Sequence, residues 1–560
     1  MSIAQSFFPS APLSLFSSLH VSQTALDELR TAVGGRLFSS VPFAYPCFSE
    51  GPTASSCISV QSQYTNETFR AGEFSALINT QWETCQTTGA QCLLDASDPF
   101  NSAATKPPHR CERGSVPEYY IDVRDADDVA AAFKFSENTR VPLVIKNTGH
   151  DYKGRSSAPG SLALWMHHLK DMTYRPDFVP QGCTSAKSAV TLGAGVQWAE
   201  AYKFADAHNV TVVGGSDRTV GAVGGWLQGG GHGVLSNTMG MGVDRVLEYK
   251  VVTPDGKLRI ANECQNEDLF FALRGGGGGT FGVVLEASIL ASEAVTLQAA
   301  IVSWSSPNRT LTEGMWTVMT DNALAWAADG WGGFSTSQLA ILVNPVLGKD
   351  EAAKSVAPLL DFGRNVPGAS VQVMTFPTFF SFFETFTSEN VAVVGTNLAL
   401  ASRLIQKPNF QTAEERSKLV DALLKTDAAE PGNMIILLTA PTSYNASHGH
   451  GRTSVTEAWR SSLYHVTTVK TWAWNATREE KVKAYRSVSE AIGYLREITP
   501  GGAAYLNEAD VYEPDHQESF WGANYEELLR IKRKYDPLQL LDCWHCVGWD
   551  RESPRFSCYL

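Results

Sequence analysis

"VIKNTGHDYKGRSS", Val144 to Ser157, carries an apolar strand into a turn that holds a histidine between glycines. A histidine at a strand's end is most often structural. Here, however, His150 is flanked by Gly149, Asp151 and Gly154, a composition that suits a chain leaving a sheet to meet a large ligand. Two more glycine clusters follow, "GGSDRTVGAVGGWLQGGGHG" (Gly214 to Gly233) and "RGGGGGTFG" (Arg274 to Gly282). Glycine costs backbone entropy, so clusters persist where backbone must approach a ligand closely. Such loops make nests of N–H groups suited to phosphate. Three clusters in one region indicate a large bound ligand.

The ligand is not held in the familiar nucleotide motifs. "GGGTFG" matches G-x-G-x-x-G, but a helix precedes it and a strand follows, the reverse of the dinucleotide fingerprint. "GHDYKGRS" carries Arg155 where a P-loop needs lysine. A nucleophile elbow and an H-E-x-x-H zinc helix are both missing from the sequence.

Outward from these loops, "EYYIDV", the helix "ADDVAAAFKFSENT" capped by Asp125, and "VPLVIKN" form a first unit. "SAVTLGAG", helix "VQWAEAYKFADAHN" and "VTVVGG" form a second. "VLEYKVVT-PDG-KLRIA" reads as a hairpin, Asn266 as the cap of "EDLFFALR", Gly275 as its end, and "FGVVLEASI" as a strand. From Ser292 the glycine clusters vanish, aromatics crowd "SVQVMTFPTFFSFFETF", and "NMIILLTA" reads as a buried strand. The last sixty or so residues shift again and contain an amphipathic helix, about Asn524 to Lys534, stopped by Asp536-Pro537.

At 560 residues the chain exceeds one core and should divide into domains. A net charge of −13 argues against nucleic acid or anionic membrane as partners, and no apolar run reaches the length of a membrane span. Four of the ten cysteines fall in the first hundred residues, with Cys111 close behind, and five N-x-S/T sequons occur at Asn66, Asn209, Asn308, Asn445 and Asn475. Both lean toward a secreted protein, although "MSIAQSFFPSAPLSLF" lacks the basic start of a signal peptide. "CWHC", Cys543 to Cys546, reads as a disulfide or buried thiols rather than zinc ligands or a thioredoxin motif. "HGHG" (His448, His450) reads as a surface loop and His167-His168 as packing.

"PLVIKNTGHDYKGRS", "GAVGGWLQGGGHG", "FFALRGGGGGTFGVV" and the closing "NYEELLRIKRKYDP", in this order, resemble the berberine-bridge-enzyme-like flavoproteins of the vanillyl-alcohol-oxidase superfamily, notably the fungal branch. "LDELRTAVGGRL" extends the resemblance to the opening helix. It implies an α+β, two-domain fold. Residues 1–291 would form the FAD-binding domain (its PCMH-type part from about 116), 292–498 a substrate domain with antiparallel sheet and helices, and 499–560 a return to the FAD domain.

The resemblance implies FAD linked covalently through His150. It assigns to the flavin Lys146, Asn147, Thr148, Gly149, Asp151, Gly154 and Ser156 of the turn. Asn147, Gly149 and Gly154 would hug the pyrophosphate. It adds Gly215, Ser216, Asp217, Val220, Gly221, Gly224, Gly225, Gly229, Gly230 and Gly233 of the next loop, with Val283 and Asn507. Asp217 stands where some members carry a second, cysteinyl link, so one link is expected. Val220 stands at the family's oxygen gatekeeper, where valine goes with oxidase behaviour.

"YLNEAD", Tyr505 to Asp510, resembles the segment that places the catalytic base, often a tyrosine. Here Glu508 takes that place, with Tyr505 the second candidate and the rings of "FPTFFSFFETF" expected to line the pocket. A glutamate against an apolar flavin face is expected to have a raised pKa. The implied activity is oxidation of a small organic substrate (an alcohol, amine or aromatic metabolite) with O2 as acceptor and no metal. A non-redox binding or cyclising role, or a dehydrogenase, is the alternative.

Overall fold

The computed structural model describes residues 21–387, 393–444 and 452–560. The segment at the N-terminus read for a signal peptide, the "HGHG" loop and the sequon at Asn445 lie outside the described residues.

Tyr119–Asp122 and Leu143–Lys146 both run parallel to Leu162–Trp165, which lies between them, and Leu37–Ser39 joins antiparallel at the edge. The crossover is the helix Ala126–Thr139. Asp125 caps it, its carboxylate accepting from the backbone N–H groups of Asp127 and Asp128 at 3.0 and 3.1 Å. A five-stranded antiparallel sheet follows, in the order Met172–Phe178, Lys187–Gly193, Val283–Leu290, Val246–Val252, Leu258–Asn262, and includes the expected hairpin. The helix Glu267–Leu273 is also where it was expected, but Asn266 does not cap it with its side chain. Its φ is +49°, and its amide donates instead to the Ile260 carbonyl at 2.7 Å.

A seven-stranded antiparallel sheet draws all its strands from residues 297–472, in the order Ser370–Phe376, Leu297–Ser303, Leu339–Asn344, Gly332–Ser335, Met434–Leu438, Ser462–Trp472, Asn397–Gln406. Side chains alternate across a strand, so each strand serves two faces. One face packs Ala300, Leu342, Ala399, Ile436 and Val466 against helices Arg309–Ala328, Ala413–Ala429 and Arg478–Ile498, whose Trp316, Leu423 and Val488 are fully buried. The opposite face carries Phe334, Leu400, Ile435, Leu437, His465, Thr467 and Val469, brought together by the register Phe334↔Leu437, Ile435↔Thr467, Leu437↔His465 and Leu400↔Val469. "NMIILLTA" is therefore only half buried: Ile435 is 38% exposed where a fully buried strand was expected.

The ten cysteines form five disulfides: Cys47–Cys57, Cys85–Cys558, Cys92–Cys111, Cys183–Cys264 and Cys543–Cys546. Cys85–Cys558 spans 473 positions and ties the tail to the N-terminal region. The tail also returns through the helix Tyr525–Tyr535, where Lys532 Nζ donates to the Thr280 and Leu541 carbonyls at 2.8 and 2.6 Å. Trp521 Nε1 donates to the Gly275 carbonyl at 3.1 Å.

Candidate active site

The glycine-rich loops, the returning tail and the second face of the seven-stranded sheet enclose a cavity of about 460 Å3. That size falls within the usual range for a ligand site.

The turn after Leu143–Lys146 forms the first wall. Gly149 (φ +91°) lets the chain reverse into it. Asp151 shapes the remainder, its carboxylate accepting from the backbone N–H of Lys153 at 3.0 Å and of Ser156 at 2.6 Å. Asn147, Thr148, Gly149, His150, Asp151 and Ser156 all line the cavity.

Lys146 and Gly154 do not, contrary to the sequence reading. Lys146 turns back to donate to the carbonyls of Glu73, Phe74 and Ala76 at 2.7–2.8 Å, and burial lowers its pKa to about 7. At Gly154 (φ +73°) a Cβ would sit 2.4 Å from the Trp82 ring, so packing alone requires glycine here.

The second loop supplies Gly215, Ser216, Asp217, Val220, Gly221, Gly224 and Gly225, and Val283 adds to the lining. Gly278 approaches so closely that a Cβ there would lie 3.1 Å from the Gly225 Cα. Gly229, Gly230 and Gly233 fall outside the lining. A Cβ at Gly229 would strike the Asn507 amide at 2.4 Å, one at Gly230 would press on Met241 and Tyr505 at 3.2 and 3.3 Å, and one at Gly233 would meet the Gly214 carbonyl at 2.0 Å. Their absent side chains allow the loop to pack.

FAD fits this lining. Asn147 Oδ1, Arg155 Nη1, Gln228 Oε1 and His232 Nδ1 are buried in residues on the cavity wall and have no protein hydrogen-bond partner. Gly225 lines the same wall, and a Cβ there would meet no protein atom within 4 Å. Asn507 joins the tail to this wall, donating to the Gly225 carbonyl at 2.7 Å and accepting from Arg155 Nη2 at 2.9 Å.

Glu508 follows in the turn Leu506–Glu508. His232 Nε2 lies 3.2 Å from its Oε1 and His465 Nδ1 3.8 Å from its Oε2. Burial pushes the Glu508 carboxyl up, but the charge and hydrogen bond of His232, then the charge of His465, outweigh it and hold the pKa below the usual value. This reverses the expected rise, because the carboxylate faces two imidazoles and not an apolar surface alone. Burial, then His232, brings the His465 pKa down to about 3. The Tyr505 hydroxyl accepts from Gly231 N–H at 3.3 Å and from Asn507 Nδ2 at 2.8 Å, and burial followed by the Glu508 charge pushes its pKa up. Tyr505 is thus a phenol and Glu508 a carboxylate at neutral pH.

The sheet side of the cavity is Phe334, Leu400, Ile435, Leu437 and Val469 with Thr439 and Thr467. The rings of "FPTFFSFFETF" are elsewhere. Phe379 and Phe383 of the helix Phe379–Thr387 pack on Tyr202 at 4.8 and 4.7 Å, so this aromatic segment is a packing element. His545 stacks on His516 at 4.1 Å and does not reach the cavity, whereas Cys543 of the "CWHC" disulfide does line it. His168 pairs with Asp122 at 2.7 Å. Sequence reasoning passed over His232 and His465 and weighed Arg155 only as the residue that breaks a P-loop match. His232 stood in a quoted glycine run, and nothing in the strand around His465 marks it out.

Residues 117–262 match the family described as FAD binding domain, and 504–542 match Berberine and berberine like. The FAD-linked oxidoreductase ffsJ of Aspergillus flavipes is 40% identical over 573 residues, spanning 94% of this chain and 92% of that protein. The structure of the VAO-type flavoprotein MtVAO615 from Myceliophthora thermophila matches with a TM-score of 0.84 at 28% identity, over 95% of this chain and 96% of the other. A glucooligosaccharide oxidase of Acremonium strictum, which carries 6-S-cysteinyl, 8α-N1-histidyl FAD, shares the fold at 20% identity and a TM-score of 0.62, over 77% of this chain and 91% of that one. Fold and cavity together define an FAD-linked oxidoreductase. The chain belongs to the berberine-bridge-like family of the vanillyl-alcohol-oxidase superfamily.

Proposed function

We propose that this protein is an oxidase that takes hydride equivalents from an apolar alcohol or amine, with FAD attached through His150 and O2 as the final acceptor. The observation that carries the reading is the placement of Glu508. Its carboxylate is held by His232 on a cavity whose other walls are the His150 turn and an aliphatic sheet face. When bound, FAD supplies a two-electron acceptor whose electrons pass to O2 as hydrogen peroxide.

The protein's own residues do the remaining work. Glu508 accepts the proton of the substrate O–H or N–H, and His232, 3.2 Å from Oε1, stabilises it in the ionised form that this requires. Leu400, Ile435, Leu437 and Val469 exclude water and receive a hydrocarbon body, and Thr439 and Thr467 give that wall its polar points. The wall's hydrophobic chemistry favours an apolar metabolite over an oligosaccharide. Val220 on the cavity wall supports oxidase over dehydrogenase behaviour. Five disulfides and the exposed sequon residues Asn66, Asn209, Asn308 and Asn475 support an extracellular setting.

Acid precipitation of the purified protein tests the cofactor claim. Yellow colour in the pellet, with a flavin mass on the His150 peptide, supports the single covalent link. Yellow that washes away removes it. His150→Ala then tests the chemistry: loss of turnover with the fold kept supports redox catalysis, and unaffected activity sinks it. Unaffected activity would favour the second reading, proton transfer or cyclisation on a bound metabolite with FAD structural. One observation favours that reading: a carboxylate paired with an imidazole can take up and return a proton without any flavin step.

A further inference from the structure

We infer that Thr219 and Asp217 form the proton-accepting chain that makes His150 the nucleophile in its own attachment to FAD, an inference that rests on the covalent link proposed above. His150 lines the cavity, and its Nε2 lies 2.6 Å from Thr219 Oγ1. Thr219 Oγ1 donates in turn to Asp217 Oδ1 at 3.1 Å, and the Thr219 backbone N–H donates to the same oxygen at 2.8 Å. Asp217 Oδ1 is itself 3.5 Å from His150 Nε2.

The direction of these bonds decides which ring nitrogen reacts. A hydroxyl has one hydrogen, and that of Thr219 is spent on the Asp217 carboxylate. Toward His150, Thr219 can therefore only accept, which places the imidazole proton on Nε2 and leaves a lone pair on Nδ1. Burial disfavours the charged ring, in keeping with a neutral imidazole. The arrangement has the form of an activated nucleophile whose base is held by a third group.

Attachment would form the bond from Nδ1 to the flavin 8α carbon and break two bonds: the Nε2–H bond, and one 8α C–H bond whose proton leaves to solvent while its electron pair stays on the flavin. As Nδ1 gains its fourth bonding pair, the Nε2 proton passes to Thr219 while the threonine proton passes to Asp217. The two electrons released reduce the flavin. O2 then takes those electrons and two protons as hydrogen peroxide. Thr219 and Asp217 act through His150 and are positioning residues for this step.

The test compares wild type with Asp217→Asn, Thr219→Val and Thr219→Ser, purified with their flavin. For each protein the flavin that stays with the acid-precipitated pellet is divided by the total bound flavin, and the melting temperature reports the fold. The expected result is a wild type whose flavin is almost wholly covalent. Asp217→Asn and Thr219→Val should bind FAD with a covalent fraction at least tenfold lower, and Thr219→Ser, which keeps the hydroxyl, should restore it. Should Asp217→Asn fail to fold, the contrast between Thr219→Val and Thr219→Ser decides, since a purely steric role predicts no rescue specific to the hydroxyl. Covalent fractions equal to wild type in both Asp217→Asn and Thr219→Val overturn the relay alone. A wild type without covalent flavin overturns the link through His150 and the relay with it.

Discussion

Glu508 and Tyr505 are three positions apart on one turn, yet their environments hold them in opposite protonation states. The imidazole of His232 favours the Glu508 carboxylate, while burial and that same carboxylate keep the Tyr505 hydroxyl protonated. Glu508→Gln should therefore lower turnover by roughly 10²–10⁴-fold while leaving the flavin spectrum in place, as steady-state kinetics on the purified variant will show. Tyr505→Phe keeps the base and should cost far less.

The pH dependence follows with its sign. A base works when deprotonated, and the Glu508 pKa is depressed, so activity should fall only as pH drops through a value below the ordinary glutamate pKa of about 4.3. His232→Asn removes the larger stabilising partner and should move that acid limb of the kcat/KM profile upward. By linkage, the Glu508 contribution to stability is present above the unfolded-state pKa and is lost as pH falls through the folded-state one.

Among elements, the strand Met434–Leu438 separates substrate binding from folding within two positions. Ile435 faces the cavity, and Ile436 is 1% exposed in the core beneath the helices. Ile435→Ser should raise KM with little change in melting temperature. Ile436→Ser opens a cavity and buries a hydroxyl without a partner, and should cost about 3 kcal/mol or more in denaturant unfolding. The sequence reading took this strand as buried throughout because an unbroken apolar run conceals its period of two. A comparable error occurred in the segment from Ser370 to Phe386, whose aromatic density suggested a pocket. The helix Phe379–Thr387 turns its rings onto Tyr202, since large rings stabilise any interface between elements and carry no information about which one.

In the whole molecule, the site depends on the tail's return. Asn507 and Glu508 reach the glycine loops through a segment anchored by Lys532, Trp521 and the Cys85–Cys558 disulfide. Replacing both Cys85 and Cys558 with serine should lower stability by about 2–5 kcal/mol, measured as a fall in melting temperature. The same change should speed loss of any FAD that is not covalently held.

What the sequence by itself determined is local or repeated. The strand–helix–strand unit from Tyr119 to Lys146 was legible because its helix cap and apolar periods involve near neighbours. The cavity wall was legible because three glycine runs, each tied to a backbone approach, say together what one could not. The role of each glycine was not legible. Gly149 lines the cavity, while Gly154 makes room for Trp82, 72 positions earlier in the chain. Only the tertiary structure decided the charge state of Glu508, because His232 comes from a loop far from it in sequence. Electrostatic effects of this kind fall off with distance in space and take no account of separation along the chain.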